Sequence, residues 1–269
     1  MPESDARLHR RRYLFLLSHM RSYSSLLAHI LGSSSDINGY CETHIRYRHC
    51  TDYYRLQFAI RRYTGEPLRG RWLLDKILHN RIRSPYLRLR PEQYRVLLFV
   101  RAPANTLRSM LTMPRQRACD YYVSRLQRLR IEAEQLGRQA LYFDAEAITT
   151  STAMLLGALA GWLELAVAPG ECYRLFPQSG KVPYGDPSKM ILRGRVTHEG
   201  DDSRLAPAIS PAVLTEADAA YRRCRAALQR LCLPLAEVLA DHALRAEPWA
   251  REYAAVACAP PLTLPAAAR

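Results

Sequence analysis

Lysine is almost missing from this chain of 269 residues: it occurs only at Lys76, Lys181 and Lys189, so the formal net charge of +14 is carried almost wholly by arginine. Glycine is sparse as well, and no Gly-x-x-x-x-Gly-Lys-Ser/Thr run is present, which argues against a loop built for a magnesium nucleoside triphosphate. The seven cysteines are odd in number and show no Cys-x-x-Cys spacing. That excludes a zinc knuckle and a closed disulfide framework, and predicts reduced thiols in a cytoplasmic protein. There is no His-Glu-x-x-His, and no histidine and carboxylate set has metal-ligand spacing, so no metal is expected. Long apolar runs are lacking too. Arg10 to Arg12 followed by Tyr13 to Leu17 imitates the start of a signal peptide but stops at Ser18 and His19. The stretch from Ile148 to Ala168 is interrupted by Ser, Thr, Gly and Glu164, which predicts a buried helix and no transmembrane segment.

What is present is an ordinary globular composition, 48% hydrophobic and 24% charged, long enough for one large core. The reading is a single α/β domain over residues 1–257, with a central, mostly parallel sheet flanked by helices, followed by an Ala/Pro-rich tail from Cys258 to Arg269 expected to be poorly ordered. Strands are predicted at Tyr13–Leu17, Trp72–Asp75, Tyr94–Val100 and Ala140–Phe143, with a short extended piece over Ile37–Cys41. Helices are predicted from Ser24 through Leu31, and from Thr51 or Asp52 to Gly65 with Tyr54, Phe58, Ile60 and Tyr63 on it. Another follows Pro103 with Leu107, Met110 and Leu111 inside and Pro114 as its stop. A long amphipathic helix runs from Arg115 to Gly137 with Tyr122, Leu126, Leu129 and Ile131, an apolar one lies within Ser151–Leu165, and a final helical stretch spans about Leu214 to Leu244. Pro169 to Pro211 reads as irregular.

The arginines are spread along the chain and not gathered in one run. They imply a generally basic surface that attracts polyanions: nucleic acid, an anionic membrane surface, or a small molecule carrying phosphate and sulfate. Two loops narrow that choice. Ser18-His19-Met20-Arg21-Ser22-Tyr23-Ser24-Ser25 follows a strand and gathers hydroxyls, backbone N–H groups and one arginine at a helix start, an anion cradle. Leu97 to Val100 leads into Arg101-Ala102-Pro103, with Ser109 eight positions after Arg101; together they offer a planar guanidinium fork and a hydroxyl.

These two segments, in this order, resemble the sulfotransferases that use 3′-phosphoadenosine 5′-phosphosulfate (PAPS), of a bacterial carbohydrate or small-molecule type or a tyrosylprotein-sulfotransferase-like branch. In that family the first strand ends in a basic residue followed by Ser-Gly and two Ser or Thr residues, which Arg21-Ser22-Tyr23-Ser24-Ser25 follows except that Tyr23 stands at the glycine. Arg101 and Ser109 match the pair that holds the 3′-phosphate, although Ala102 replaces the usual acid. The stretch from Lys181 through Lys189 to Arg193 resembles a late basic loop that closes over the nucleotide. The resemblance implies a P-loop-like sulfotransferase fold, PAPS as cosubstrate, a hydroxyl acceptor and no metal.

Transfer of a sulfonate needs a base for the acceptor proton and positive charge on the leaving phosphate. Glu42, in Gly39-Tyr40-Cys41-Glu42-Thr43-His44, is the first candidate base by its similarity to a Gly-Glu-Glu-Thr-like segment of the tyrosylprotein branch. His44 and His79 are the alternatives. Lys76 is placed at the sulfonate or the acceptor, against the plainer reading of an Asp75–Lys76 surface pair. Arg21 is placed at the bridging oxygen. Three other readings stand beside this one: a basic nucleic-acid-binding protein, supported by charge; a P-loop-related kinase, opposed by the missing lysine motif; and an inactive sulfotransferase-like nucleotide-binding protein, because of Tyr23.

Overall fold

Arg12–Leu17 (β1) carries apolar side chains on both faces of the strand, and Tyr13 to Leu17 are all buried. A strand covered on both sides belongs in the interior of a parallel sheet. The computed structural model, which describes residues 11–110, 115–181, 189–197 and 209–244, places it there. β1 is followed by helix α1 (Ser24–Gly32), β2 (Ile37–Asn38), α2 (Asp52–Thr64), β3 (Trp72–Ile77), β4 (Tyr94–Val100), α3 (Pro103–Ser109) and α4 (Arg115–Leu136). Next come β5 (Ala140–Asp144), one helical turn at Ala147–Thr150, α5 (Thr152–Leu163), α6 (Pro211–Leu231), β6 (Leu233–Pro234) and α7 (Leu235–Leu244). The six strands form one sheet in the order β2-β3-β1-β4-β5-β6, every pairing parallel. The chain is thus a single α/β domain with helices on both faces of a parallel sheet. Tyr13 lies opposite Leu73 of β3 and Tyr94 of β4, which sets the register at the centre.

The pleat divides the core in two. Tyr13, Phe15, Leu17, Leu73, Val96 and Leu98 face α2, α4 and α6, whereas Leu14, Leu16, Leu74, Leu97 and Phe99 face α1, α5 and α7. On α2 the inward residues are Tyr53, Leu56 and Ile60; the expected Tyr54 and Phe58 are exposed, 53% and 70%. The helical face is fixed by Ile60 and by the Tyr53 hydroxyl, which donates to Pro85 O at 2.5 Å, and turns Tyr54 and Phe58 outward. Ile131 is likewise exposed, because the stripe of α4 that meets the sheet runs through Ala118, Tyr122, Leu126, Leu129 and Ala133.

The final helical stretch is two helices separated by β6, which pairs Leu233 with Leu141 and Pro234 with Tyr142. A proline fits there because β6 is at the sheet edge, where one side needs no ladder donor. The extended piece after α1 closes at Asn38, and β3 runs two residues past Asp75. Leu111, the Pro114 stop, much of the irregular region and the Cys258–Arg269 tail lie outside the described residues, as does the side chain of Lys189.

Gly39 makes the turn from β2 toward Glu42 with φ +100°, and a Cβ there would meet Leu74 O at 2.6 Å. Gly39→Ala therefore combines a backbone conformation that side chains rarely adopt with a backbone clash. It should lower the free energy of unfolding by about 1–3 kcal/mol. Urea unfolding followed by circular dichroism measures this, and a midpoint equal to that of the unaltered chain would contradict the close approach.

Candidate active site

Because all strands run one way, the loops after β1, β2, β3 and β4 leave the same edge of the sheet. From β1 the chain crosses toward β2 and β3, and from β3 it crosses over to β4, so the strand order switches direction at the β1–β4 boundary. In open α/β sheets ligands bind in the crevice at such a switch point, beyond the carboxyl ends of the strands. The two loops expected from the sequence to hold an anion, Ser18–Ser25 and Arg101–Ser109, leave from these two strands.

The first loop is held from within. Ser18 Oγ lies 2.6 Å from Phe99 O and 2.7 Å from Ser22 Oγ, and Ser22 Oγ donates to His19 O at 2.7 Å. Ser22 is fully buried, so its hydroxyl serves the loop and its backbone N–H is what it has to offer a ligand. Arg21 and Tyr23 both adopt left-handed backbone, φ 64° and 61°. Tyr23 thus takes the conformation for which glycine is the usual residue, at a cost of about 1 kcal/mol or more. It also performs a task glycine cannot: the Arg101 guanidinium lies over its ring, 4.0 Å from the centroid, and donates from Nη2 to its hydroxyl at 2.6 Å.

The two loops meet directly. Arg101 Nη1 donates to Arg21 O at 3.1 Å, and Arg21 Nε donates to Ser109 O at 3.1 Å. Ser109 contributes its carbonyl to this contact while its hydroxyl donates to Thr106 O at 2.8 Å. The backbone of Arg101 is pinned at both ends, its N–H donating to His19 Nε2 at 2.9 Å and its carbonyl accepting from the Tyr122 hydroxyl at 2.6 Å. Its neighbour Ala102 lacks the acidic side chain expected there, and Glu146, from the loop after β5, supplies a carboxylate that accepts from Ala102 N at 3.0 Å.

Lys76 and Asp75 are not a surface pair. Both are fully buried and, as neighbours on β3, they point to opposite faces of the sheet. Lys76 Nζ donates to Ser25 Oγ at 2.9 Å, joining β3 to the first turn of α1. Asp75 accepts from Thr43 N at 3.0 Å, Thr43 Oγ1 at 2.7 Å and the Tyr47 hydroxyl at 2.5 Å. Burial raises its pKa to about 6 against the lowering effect of these bonds. Thr43 stands between Glu42 and His44, so Asp75 fixes the segment that carries both.

The three candidate bases come together. Glu42 Oε1 lies 3.5 Å from His44 Nδ1 and 3.6 Å from His79 Nε2. Glu42 is buried, the imidazoles are half-buried, and burial lowers the pKa of His79. Lys181 and Arg193 are exposed. The loop leading to Lys181 packs against α1 and the exit from β2, with Phe176 stacked on Tyr40 at 4.1 Å and Ser179 Oγ 2.8 Å from His29 Nε2.

Two polar residues that organise the site were not among the expected ones. Arg125 is buried where the loops after β1 and β3 leave the sheet, and donates to Ser18 O at 2.8 Å, Ile77 O at 2.5 Å and Asn80 Oδ1 at 3.2 Å. Its position three residues after Tyr122, inside the apolar stripe of α4, is the sequence signal that marks it. His19 has only its place in the loop.

No family model matches the chain, and no curated protein matches it in sequence. Among solved structures it is similar to the sulfotransferase domain of an olefin synthase from Synechococcus PCC 7002, at 16% identity and a TM-score of 0.46, covering 79% of this chain and 95% of that one.

His19 yields a pH prediction. Its Nδ1 bonds Met20 O at 2.8 Å and its Nε2 accepts from Arg101, an arrangement only the neutral imidazole can make. Burial foremost lowers its pKa to about 3, so between that value and the ordinary 6.5 the unfolded chain binds the extra proton. Stability from His19 is therefore complete above about pH 6.5 and is lost as pH falls toward 3. Urea unfolding between pH 7.5 and 4.5 should show a steeper fall for the unaltered chain than for His19→Asn; equal slopes would contradict the assignment.

Proposed function

We propose that the chain is a sulfotransferase that moves the sulfonate of PAPS to an acceptor hydroxyl. The observation that carries this reading is the convergence of Arg21 and Arg101, eighty residues apart in sequence, at the switch point of a parallel sheet, each bonded to the other's loop. Arg101, with Ser109 on the following helix, is assigned to the 3′-phosphate. Lys181, Lys189 and Arg193 are assigned to the nucleotide from the late loop. Arg21 and the backbone N–H groups of Ser22 to Ser25 are assigned to the 5′-phosphosulfate, in a loop with left-handed backbone at Arg21 and Tyr23, a conformation that occurs in anion-binding nests.

In the transfer, the acceptor oxygen attacks sulfur in line with the bridging oxygen of the phosphosulfate. The new O–S bond forms as the bridging S–O bond breaks, and adenosine 3′,5′-bisphosphate leaves with that electron pair. Arg21, and Lys76 acting beside Ser25, stabilise the charge that develops on the leaving phosphate. The acceptor proton passes to the Glu42, His44 and His79 cluster, in which the buried Glu42 carboxylate is the first assigned acceptor.

Calorimetry should show tighter binding of adenosine 3′,5′-bisphosphate than of 5′-AMP. Arg101→Ala should weaken the bisphosphate by roughly 10- to 100-fold, as loss of a charge-assisted phosphate contact implies, and change AMP much less. No preference for the bisphosphate in the unaltered protein would defeat the reading. Glu42→Gln should keep bisphosphate affinity within about twofold while transfer of label from PAPS to a panel of hydroxyl acceptors falls by about 10²-fold or more. Full transfer by that variant would remove Glu42 as the base.

A further inference from the structure

Glu42, His44 and His79 have a second chemical capacity. One ligand atom from each lies within 4.8 Å of the others. Glu42 Oε1 is 3.5 and 3.6 Å from the two nitrogens, longer than an N–H···O hydrogen bond and close to the separation of two ligands that share one tetrahedral ion at about 2.1 Å. That oxygen is buried and makes no hydrogen bond among the described residues. A buried carboxylate oxygen left in this condition is costly unless a cation or donor meets it.

The loops that carry these atoms are held from behind. Thr43 is bonded twice to the buried Asp75, and His44 is fixed in left-handed backbone with φ 57°. On the other side, Ile77 O accepts from Arg125 and Leu78 O accepts from the Tyr121 hydroxyl at 2.8 Å, immediately before His79. Ligands positioned by such supporting bonds need little rearrangement to close on an ion.

We propose that Glu42 Oε1, His44 Nδ1 and His79 Nε2 bind one divalent transition-metal ion of the Zn²⁺ class. Two imidazole nitrogens and one carboxylate oxygen suit Zn²⁺ or Co²⁺ and not Mg²⁺ or Ca²⁺, which take shells of oxygen. Three protein ligands leave a fourth position open to water or to a substrate oxygen. The site does not depend on the sulfonate-transfer reading. If both hold, the ion takes the lone pairs that otherwise accept the acceptor proton, and the two uses compete.

The test uses the full chain after chelator treatment. Zn²⁺ alone, titrated by calorimetry, should show one tight equivalent, and Co²⁺ should give the intense visible absorption of a four-coordinate ion that Zn²⁺ abolishes. Glu42→Gln, His44→Asn and His79→Asn should each weaken that equivalent by tenfold or more, whereas His49→Asn, at an exposed histidine outside the cluster, should leave it intact. Circular dichroism checks that each variant is folded. A tight equivalent that persists in the His44 and His79 variants overturns the proposal, as does the absence of any tight equivalent. If a variant fails to fold, the unaltered protein still decides: displacement of Co²⁺ by millimolar Mg²⁺ or Ca²⁺ overturns the site, and resistance to both supports it.

Discussion

Arg125 holds the carboxyl-terminal edge of the sheet together. Its guanidinium is buried between α4 and the carboxyl ends of β1 and β3, and its three acceptors, Ser18 O, Ile77 O and Asn80 Oδ1, are all uncharged. Burial disfavours the charge, and the carbonyl dipoles together with the carboxylates of Glu132 and Glu42 act against that penalty. In return one side chain fixes the departure of the loop that carries Arg21 and of the loop that carries His79. The charge also lies under the start of the loop that leads to Arg21, through its bond to Ser18 O. An anion bound there would be attracted by a cation that water screens poorly.

His19 and Arg101 extend this control across the switch point. The His19 imidazole accepts from the backbone of Arg101, the Tyr122 hydroxyl donates to the same residue, and the Arg101 guanidinium returns to Arg21 O and Tyr23. Each loop is therefore a template for the other. Tyr122 and Arg125 are three apart on α4, on the helix face that meets the sheet, so the spacing of one helix sets two loops at once.

The strands were legible where a run of apolar residues is unbroken: β4 matches its expected bounds, and β1 and β5 match within a residue. β6 was not, because two residues with a proline inside a helical pattern carry no strand signal until a neighbour supplies the pairing. Which apolar residues of α2 face the core was not legible, because Tyr54 and Phe58 are as apolar as Tyr53 and Leu56 and only tertiary contact decides among them. In the site, Arg21 and Arg101 were legible through the loops they occupy. Glu42, His44 and His79 appeared in the sequence as competing candidates, and no local spacing brings them together, since one pair follows β2 and the other residue follows β3. Buried polar residues such as His19 and Asp75 gain their roles from partners distant in the chain, which a linear pattern does not display.

Tyr23 shows how a departure from an expected motif acquires a physical reason. Its left-handed backbone costs energy that glycine would avoid, yet the phenol provides both a ring face and an oxygen for Arg101. A cation–π contact of about 0.5–2 kcal/mol and a hydrogen bond to a charged donor of about 1.5–3 kcal/mol are together large enough to offset that strain. The guanidinium is consequently oriented before any ligand arrives, which reduces the entropy that a phosphate would otherwise have to overcome on binding. The same contacts occupy part of the fork, so a ligand gains from Arg101 only what it offers beyond the Tyr23 hydroxyl. A dianionic phosphate can exceed a neutral phenol as a partner, whereas a neutral ligand cannot, so under the proposed function the Tyr23 contact would favour charged ligands at Arg101.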